Sequence, residues 1–269
     1  MPVSSKALFH FTRKEEYILD IILNKGFAPR YCIEDLSFAI PDKFRDMLEK
    51  KYAFKQAFPM VCFCDIKLSQ TDEHCSMYGK YAIGMTKHWG EMFGITPVQY
   101  YHEGSTNLAL YINVIEQIMN IWKTFSGSSA TPFGQHLNGT LGSLFKMMAY
   151  MKPVQGEMLR DSEYVEKYFY DEREWRYTPS YLNNPDSEQE QVPEVLLIEQ
   201  FENAVFLEEQ HQKLRTYHRL AFEEGDINYI IVPETEQIPE FIKTLRGKVE
   251  ELKLNVDLDL ITYKIRSYE

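Results

Sequence analysis

Three stretches far apart in the chain carry side chains that could act together on one small molecule. His10 lies in Leu8-Phe9-His10-Phe11-Thr12, Tyr78-Gly79-Lys80-Tyr81 follows, and Glu172-Arg173-Glu174-Trp175-Arg176 comes much later. A carboxylate from Glu174 or Glu172 could stabilise positive charge developing on a sugar carbon, or hold a ribose hydroxyl. Cleavage of a glycosidic bond through an oxocarbenium-like state needs such a group. Tyr78 or Tyr81 offers an aromatic face to a planar, cationic ring. Gly79 and Gly84 would let backbone approach that ring closely. His10 could donate a hydrogen bond to a ribose hydroxyl, and Thr12 shares its strand face. Arg13 and Arg30 could meet phosphates through their forked donors.

Each group also has a plainer use. Asp171 to Glu174 could be the charged, solvated edge of a strand. Gly79 could end a helix, with the two tyrosines packed in the core. A lone His between Phe9 and Phe11 is often a satisfied structural residue, although strand alternation turns it away from both rings. Cys62 and Cys64, with His74 and Cys75 nearby, make zinc conceivable. Structural zinc sites usually leave about two to four residues between paired cysteines, so buried free thiols are the simpler reading. His74, His88 and His102 do not share a metal-ligand spacing on one helix. There is no Gly-x-Ser-x-Gly elbow and no Walker loop, which leaves serine-hydrolase, metalloprotease and P-loop readings without support.

The elements that must position these groups follow from hydrophobic period and end signals. Residues 7–11 read as a strand, and Thr12 as the N-cap of a helix, with Glu15 as its capping-box partner and Gly26 as its end. Pro41 opens a charged helix to about residue 52. Residues 59–64 read as a strand, and 69–79 as a helix stopped by Gly79. A strand at 80–85 is followed by a short helix capped by Thr86 and ended by Gly94. Residues 96–102 alternate as a strand. The longest helix begins at Ser105, with a broad apolar stripe that reads as core. Residues 127–139 read as a loop, 140–150 as helix, 168–177 as a strand and 183–194 as an exposed loop. The C-terminal third reads as a helix at 199–220, a strand at 227–232, a helix at 238–252 and a last strand at 258–265. Without a regular β-α-β period, this order predicts an α+β fold with a mixed, mainly antiparallel sheet and flanking helices. The whole chain, 1–269, is expected to form one domain, with a possible helical insertion at about 105–150.

Composition sets the frame. The 269 residues are 44% hydrophobic and 26% charged, with a net charge of -11. That charge argues against broad electrostatic binding to nucleic acid. Four cysteines in this length are not a disulfide scaffold. The first residues lack the apolar run of a signal peptide, and no stretch approaches the ~20 apolar residues of a membrane span. A cytoplasmic protein is expected.

Several motifs in order carry a family resemblance. Leu8-Phe9-His10-Phe11-Thr12 and Gly26-Phe27-Ala28-Pro29-Arg30 open it. Cys62-Phe63-Cys64-Asp65-Ile66, His74, Tyr78-Gly79-Lys80-Tyr81-Ala82-Ile83-Gly84-Met85 and Trp89-Gly90 continue it. Gly94-Ile95-Thr96-Pro97-Val98-Gln99-Tyr100 and Glu172-Arg173-Glu174-Trp175-Arg176 complete it. Over about residues 7–180 the chain resembles the AbiGi family of bacterial abortive-infection proteins. That resemblance implies the antitoxin half of a phage-defence pair, with a nucleotidyltransferase-like toxin as partner. The same motif order is similar, more distantly, to the ADP-ribosyltransferase superfamily, in which a His, a Tyr and a Glu on successive strands hold NAD. This second resemblance implies an ADP-ribosyltransferase-like fold and NAD as cofactor. It implies His10 at the ribose, Tyr81 or Tyr78 under nicotinamide, and Glu174 or Glu172 as the catalytic group, for ADP-ribosyl transfer or NAD cleavage. The superfamily's second strand motif is not cleanly matched here.

Overall fold

In a computed structural model, residues 4–39, 55–125, 131–160, 163–179 and 191–268 are described. The helix expected at 41–52 and most of the loop expected at 183–194 lie outside them. The fold is α+β, as expected, and its main sheet is mainly antiparallel.

The sheet centres on β1 (Ala7–Thr12) and β4 (Lys55–Cys64). β5 (Tyr81–Thr86) pairs along all of β1, from Ala7↔Thr86 to Thr12↔Tyr81. β14 (Ile227–Ile231) adds to β5, and β15 (Ile265–Arg266) adds to β14 in parallel. On the other side, β11 (Glu174–Tyr177) runs beside Val61–Cys64 of β4, and β6 (Thr96–Pro97) closes that edge. The first half of β4 takes β3 (Arg30–Asp35) and the short β12 (Leu196–Leu197).

Strand alternation sorts the side chains of β1 onto two faces. Leu8 joins Ile83 and Met85 beneath α1 (Glu15–Leu23), α3 (Lys87–Met92) and α8 (Ile238–Leu252), which contribute Ile18, Ile22, Trp89, Phe241 and Leu245 to the largest core. Burying each such side chain contributes about 1.5–3 kcal/mol. Phe9 and Phe11 face the opposite side, with Cys64, Ile66 and Ala82. A third cluster joins Phe58 and Met60 to Leu108 of α4 (Thr106–Phe125) and Met148 of α5 (Pro132–Met148).

Several elements differ from the sequence reading, each for a local reason. The strand expected at 168–177 is broken by a 3-10 turn at Phe169–Glu172, and Arg173 sits in the left-handed region at φ 44° before β11 begins. The helix expected at 199–220 is two, α6 (Ile198–Glu202) and α7 (Ala204–Tyr217). Asn203 separates them, leaving helical geometry and accepting a hydrogen bond from Phe206 N. The last strand is instead mostly α9 (Leu258–Tyr263), capped by Asp257, which accepts from Leu260 N at 2.9 Å. The strand expected at 96–102 divides into β6 and β7 (Gln99–Tyr101). Val98 between them turns its N–H to the Glu174 carbonyl. The expected loop gives way to helix at Pro132, after a Thr131 cap. Lys14, not Thr12, precedes α1, and the Thr12 hydroxyl bonds the Lys14 backbone instead of capping the helix. Gly79 does end its helix, α2 (Asp72–Tyr78), at φ 108°. A Cβ there would lie 2.2 Å from the Thr12 carbonyl oxygen, so only glycine fits.

Candidate functional site

The site begins at a break in the sheet. β1 meets β4 at one pair, Phe9↔Cys64, while β3 follows β4 only as far as Met60. Since β11 occupies the other edge of β4 at Val61–Cys64, the edge facing β1 has no ladder partner at Val61–Phe63 among the described residues. The His10 ring fills part of this gap. Its Nδ1 lies 2.8 Å from the Cys62 carbonyl oxygen. A carbonyl only accepts, so Nδ1 carries the proton and Nε2 is left as an acceptor. His10 therefore spends its one neutral-state N–H on the backbone, and toward a ligand it can accept but not donate. Burial lowers its pKa, against the opposing pull of the Cys62 carbonyl, which keeps it neutral at pH 7. The ring does face away from Phe9 and Phe11, and packs on Phe27 and Phe63 at 5.3 and 5.8 Å.

Beside the break lies a cavity of about 380 Å³. It gathers five of the residues singled out from sequence: His10, Arg30, Tyr78, Glu172 and Glu174. Thr12 and Tyr81 are not among its walls. Thr12 is buried against Lys14, and Tyr81 packs against the large core. Arg13 is also elsewhere, donating to the Met77 carbonyl at 3.0 Å. Arg30 is exposed at the cavity, and its guanidinium has no hydrogen bond or ion pair among the described residues.

The two glutamates meet through groups that the sequence did not single out. Lys152, on β8 (Met151–Pro153), reaches Glu172 Oε2 at 2.7 Å and Glu174 Oε2 at 2.9 Å. Arg176 is fully buried. It donates from Nε to Glu174 Oε1 at 2.7 Å, and from Nη2 to Glu174 Oε2 at 3.1 Å and Glu34 Oε1 at 2.7 Å. Lys167, on β10 (Glu163–Tyr168), lies 2.6 Å from Glu172 Oε1, and the Tyr78 hydroxyl donates to that same oxygen. Three cations thus face three carboxylates in one buried network, with balanced charge. Nothing in local spacing marks Lys152 or Lys167, because their partners are set by sheet pairing.

The electrostatics follow. Burial alone would raise the pKa of Glu174, but Arg176 and Lys152 outweigh it and hold the carboxyl far below its usual range. Burial likewise opposes Lys152 and Lys167 at Glu172, and the cations win, so its pKa is lowered. At Glu34 burial prevails over Arg176 and Lys152, and its pKa is raised. Burial would lower Lys152, but Glu174, Glu172 and Glu34 raise it well above the ordinary lysine value. His74, between Phe11 at 4.8 Å and Tyr78 at 4.5 Å, is pushed down to about 4 by burial. The Tyr78 ring therefore has His74 against it, and the Lys167 amine stands 4.9 Å from its centre.

Two close approaches foreseen for a ligand are made by the protein itself. A Cβ at Gly84 would meet the Phe9 ring at 2.6 Å, and Gly79 abuts Thr12. The zinc set does not assemble. Cys75 turns to the Tyr268 hydroxyl at 3.4 Å, and among the described residues no group of three or more His, Cys, Asp and Glu could hold a metal ion. No described helix is long and apolar enough to cross a membrane.

Comparison with known proteins extends the likeness beyond the motifs. Residues 25–233 match the model of a family described as "Putative abortive phage resistance protein AbiGi, antitoxin". The match begins after the opening Leu8–Thr12 motif and runs past the rest of the block, through β14. A relative from Lactococcus lactis subsp. cremoris, "Abortive phage resistance protein AbiGi", is 29% identical over 260 residues, covering 91% of this chain and 97% of its own. No solved structure matches.

Proposed function

This chain belongs to the AbiGi family of abortive phage resistance proteins, and from that premise we propose that it is the antitoxin component of its defence pair. In this reading it restrains a toxin, nucleotidyltransferase-like as the family resemblance implies, by protein–protein contact and not by catalysis. The observation that carries the reading is the commitment of both site carboxylates. Each oxygen of Glu172 and Glu174 already receives a cation or a hydroxyl. A carboxylate that stabilises an oxocarbenium ion needs its charge directed at the sugar, and here Arg176, Lys152 and Lys167 have claimed it.

The test is expression in cells. Produced alone, the chain leaves growth unchanged. Produced with the toxin of its own defence pair, it restores growth, and the two purify together. Toxicity of the chain alone that disappears in Glu174→Gln would overturn the reading.

A second reading, NAD binding with ADP-ribosyl transfer or NAD cleavage on an ADP-ribosyltransferase-like fold, has one observation in its favour. His10, Arg30, Tyr78, Glu172 and Glu174 border one cavity. Its volume is at the small end for ligand sites. Arg30 suits a phosphate and His10 Nε2 could accept from a ribose hydroxyl. The Tyr78 ring is already beside the Lys167 amine, which discourages a second cation there. Incubation with nicotinamide-labelled NAD separates the readings. Release that is lost in Glu174→Gln supports the enzyme, and neither binding nor release removes it.

A further inference from the structure

The cavity at the sheet break keeps two polar groups that its ion network does not use. Glu34, Glu172 and Glu174 on its wall are balanced by Lys152, Lys167 and Arg176. Arg30 adds one positive charge that nothing in this network cancels. The carboxylate that it influences on α7, Glu208, is already joined to Arg215. The second group is His10 Nε2. Nδ1 is spent on the Cys62 carbonyl, and Nε2 has no partner among the described residues. No buried side-chain nitrogen or oxygen among them lacks a hydrogen bond, so Nε2 is not sealed in the core. Its accessible surface is toward the cavity that His10 lines.

Register sets the two groups apart. Arg30 stands opposite Met60, and His10 lies against Cys62. Two residues of strand span about 7 Å. Much of the remaining wall is apolar, from Phe9, Phe11, Ala28, Met60, Val61 and Phe63.

These features select a ligand. One uncancelled cation calls for one negative charge. A pyrophosphate or a phosphate dianion would bring a second charge out of water without a partner. An acceptor beside apolar walls calls for an N–H or O–H. Filling the cavity without one would leave Nε2 unpaired, at a cost of about 1–3 kcal/mol. The apolar wall calls for an apolar body. A volume of about 380 Å³, at the small end for ligand sites, calls for a compact one.

We infer that the cavity binds a small organic monoanion: a carboxylic acid with a compact apolar body, its carboxylate on Arg30 and its N–H or O–H donating to His10 Nε2. Such binding needs no catalysis. It shares the cavity of the NAD reading but not its chemistry. Nicotinamide release tests cleavage, whereas this ligand presents no bond to cleave, so either can fail alone. Restraint of a toxin is read separately, by growth.

Isothermal titration of the full chain with three related probes tests the assignment. Indole-3-acetate has both a carboxylate and an N–H. 1-Methylindole-3-acetate lacks the donor, and 3-methylindole lacks the carboxylate. Indole-3-acetate is expected to saturate one site with a dissociation constant below about 1 mM. Each of the other two should bind about tenfold or more weakly. Arg30→Gln should weaken indole-3-acetate by a similar factor and leave 3-methylindole unchanged. Arg30 is exposed, so the variant should fold as the parent does, and the three-probe comparison stands without it. Indole-3-acetate that fails to saturate overturns the assignment. So do equal affinities across the probes, N-methylation without effect, or an Arg30→Gln variant that leaves the acid unaffected or weakens acid and neutral probe alike.

Discussion

Around the cavity the chain buries Lys152, Lys167 and Arg176 against Glu34, Glu172 and Glu174, while along α4 and α5 it exposes Leu110, Ile121 and Phe133 with almost no charge nearby. The usual distribution, apolar inside and charged outside, is reversed in both places. The two departures have different consequences. A buried ion is tolerated only while its partners are present, so the network is sensitive to any single loss. An exposed apolar side chain makes few contacts in its own chain, so its replacement barely affects folding. Stability should therefore be sensitive at the cavity and insensitive at the hairpin.

The sharpest test of that contrast is Arg176. Its side chain holds Glu174 by two nitrogens, Glu34 by one, and the Ala149 carbonyl besides. Arg176→Ala leaves two carboxylates buried beside each other with only Lys152 to compensate. The expected cost is about 3–5 kcal/mol, read as a lowered urea midpoint. Replacing Arg176 together with one carboxylate, as Glu34→Gln with Arg176→Met, should recover much of the loss, since Lys152 and Lys167 then balance Glu172 and Glu174. A loss under about 1 kcal/mol in Arg176→Ala would mean that the network contributes no more than a surface ion pair, and the contrast would collapse.

Acid should act on the cavity in two stages. His74 has its pKa depressed to about 4, and an unfolded histidine titrates near 6.5. Between those values the unfolded chain binds the extra proton, so stability falls as pH drops through that window. His10, also lowered, acts in the same direction. Glu172 and Glu174 have lowered values too, so their stabilisation is present above the unfolded value of about 4.3 and is lost as pH falls through their folded ones. Glu34, raised, works the opposite way, because the folded chain protonates it first. His74→Gln should flatten the pH dependence of the urea midpoint between about 6.5 and 4 and leave the lower stage in place. An unchanged upper stage would assign it to a different group.

How much of this was legible in the sequence depends on the range of the interactions. Tyr78, Glu172 and Glu174 stood out through local neighbours, a glycine beside one and alternation across the others. His10 was placed on the correct face by the two-residue period of β1. Lys152 and Lys167 were not legible. Lys152 reaches Glu172 only because β8 pairs with β7, whose neighbour Val98 bonds the Glu174 carbonyl. No periodicity encodes that chain of contacts. Arg173 misled for a different reason, since a non-glycine residue at positive φ carries no sequence signal. Asn203 and Asp257 did carry one. Both are good helix N-caps, standing where a long helix and a strand were expected.

The smallest effects belong to the hairpin, and their signs are informative. Gly139 and Gly142 lie inside α5, away from the left-handed region, with room for a Cβ. Changing either to Ala should stabilise the isolated chain by about 0.5–1 kcal/mol, the ordinary penalty of glycine within a helix. Leu110→Glu and Ile121→Glu, at exposed positions, should each change it by under about 0.5 kcal/mol. At Gly79, by contrast, alanine collides with the Thr12 backbone. If Leu110→Glu cost several kcal/mol, its side chain would belong to the chain's own core, and the contrast between buried charge and exposed apolar surface would fail there.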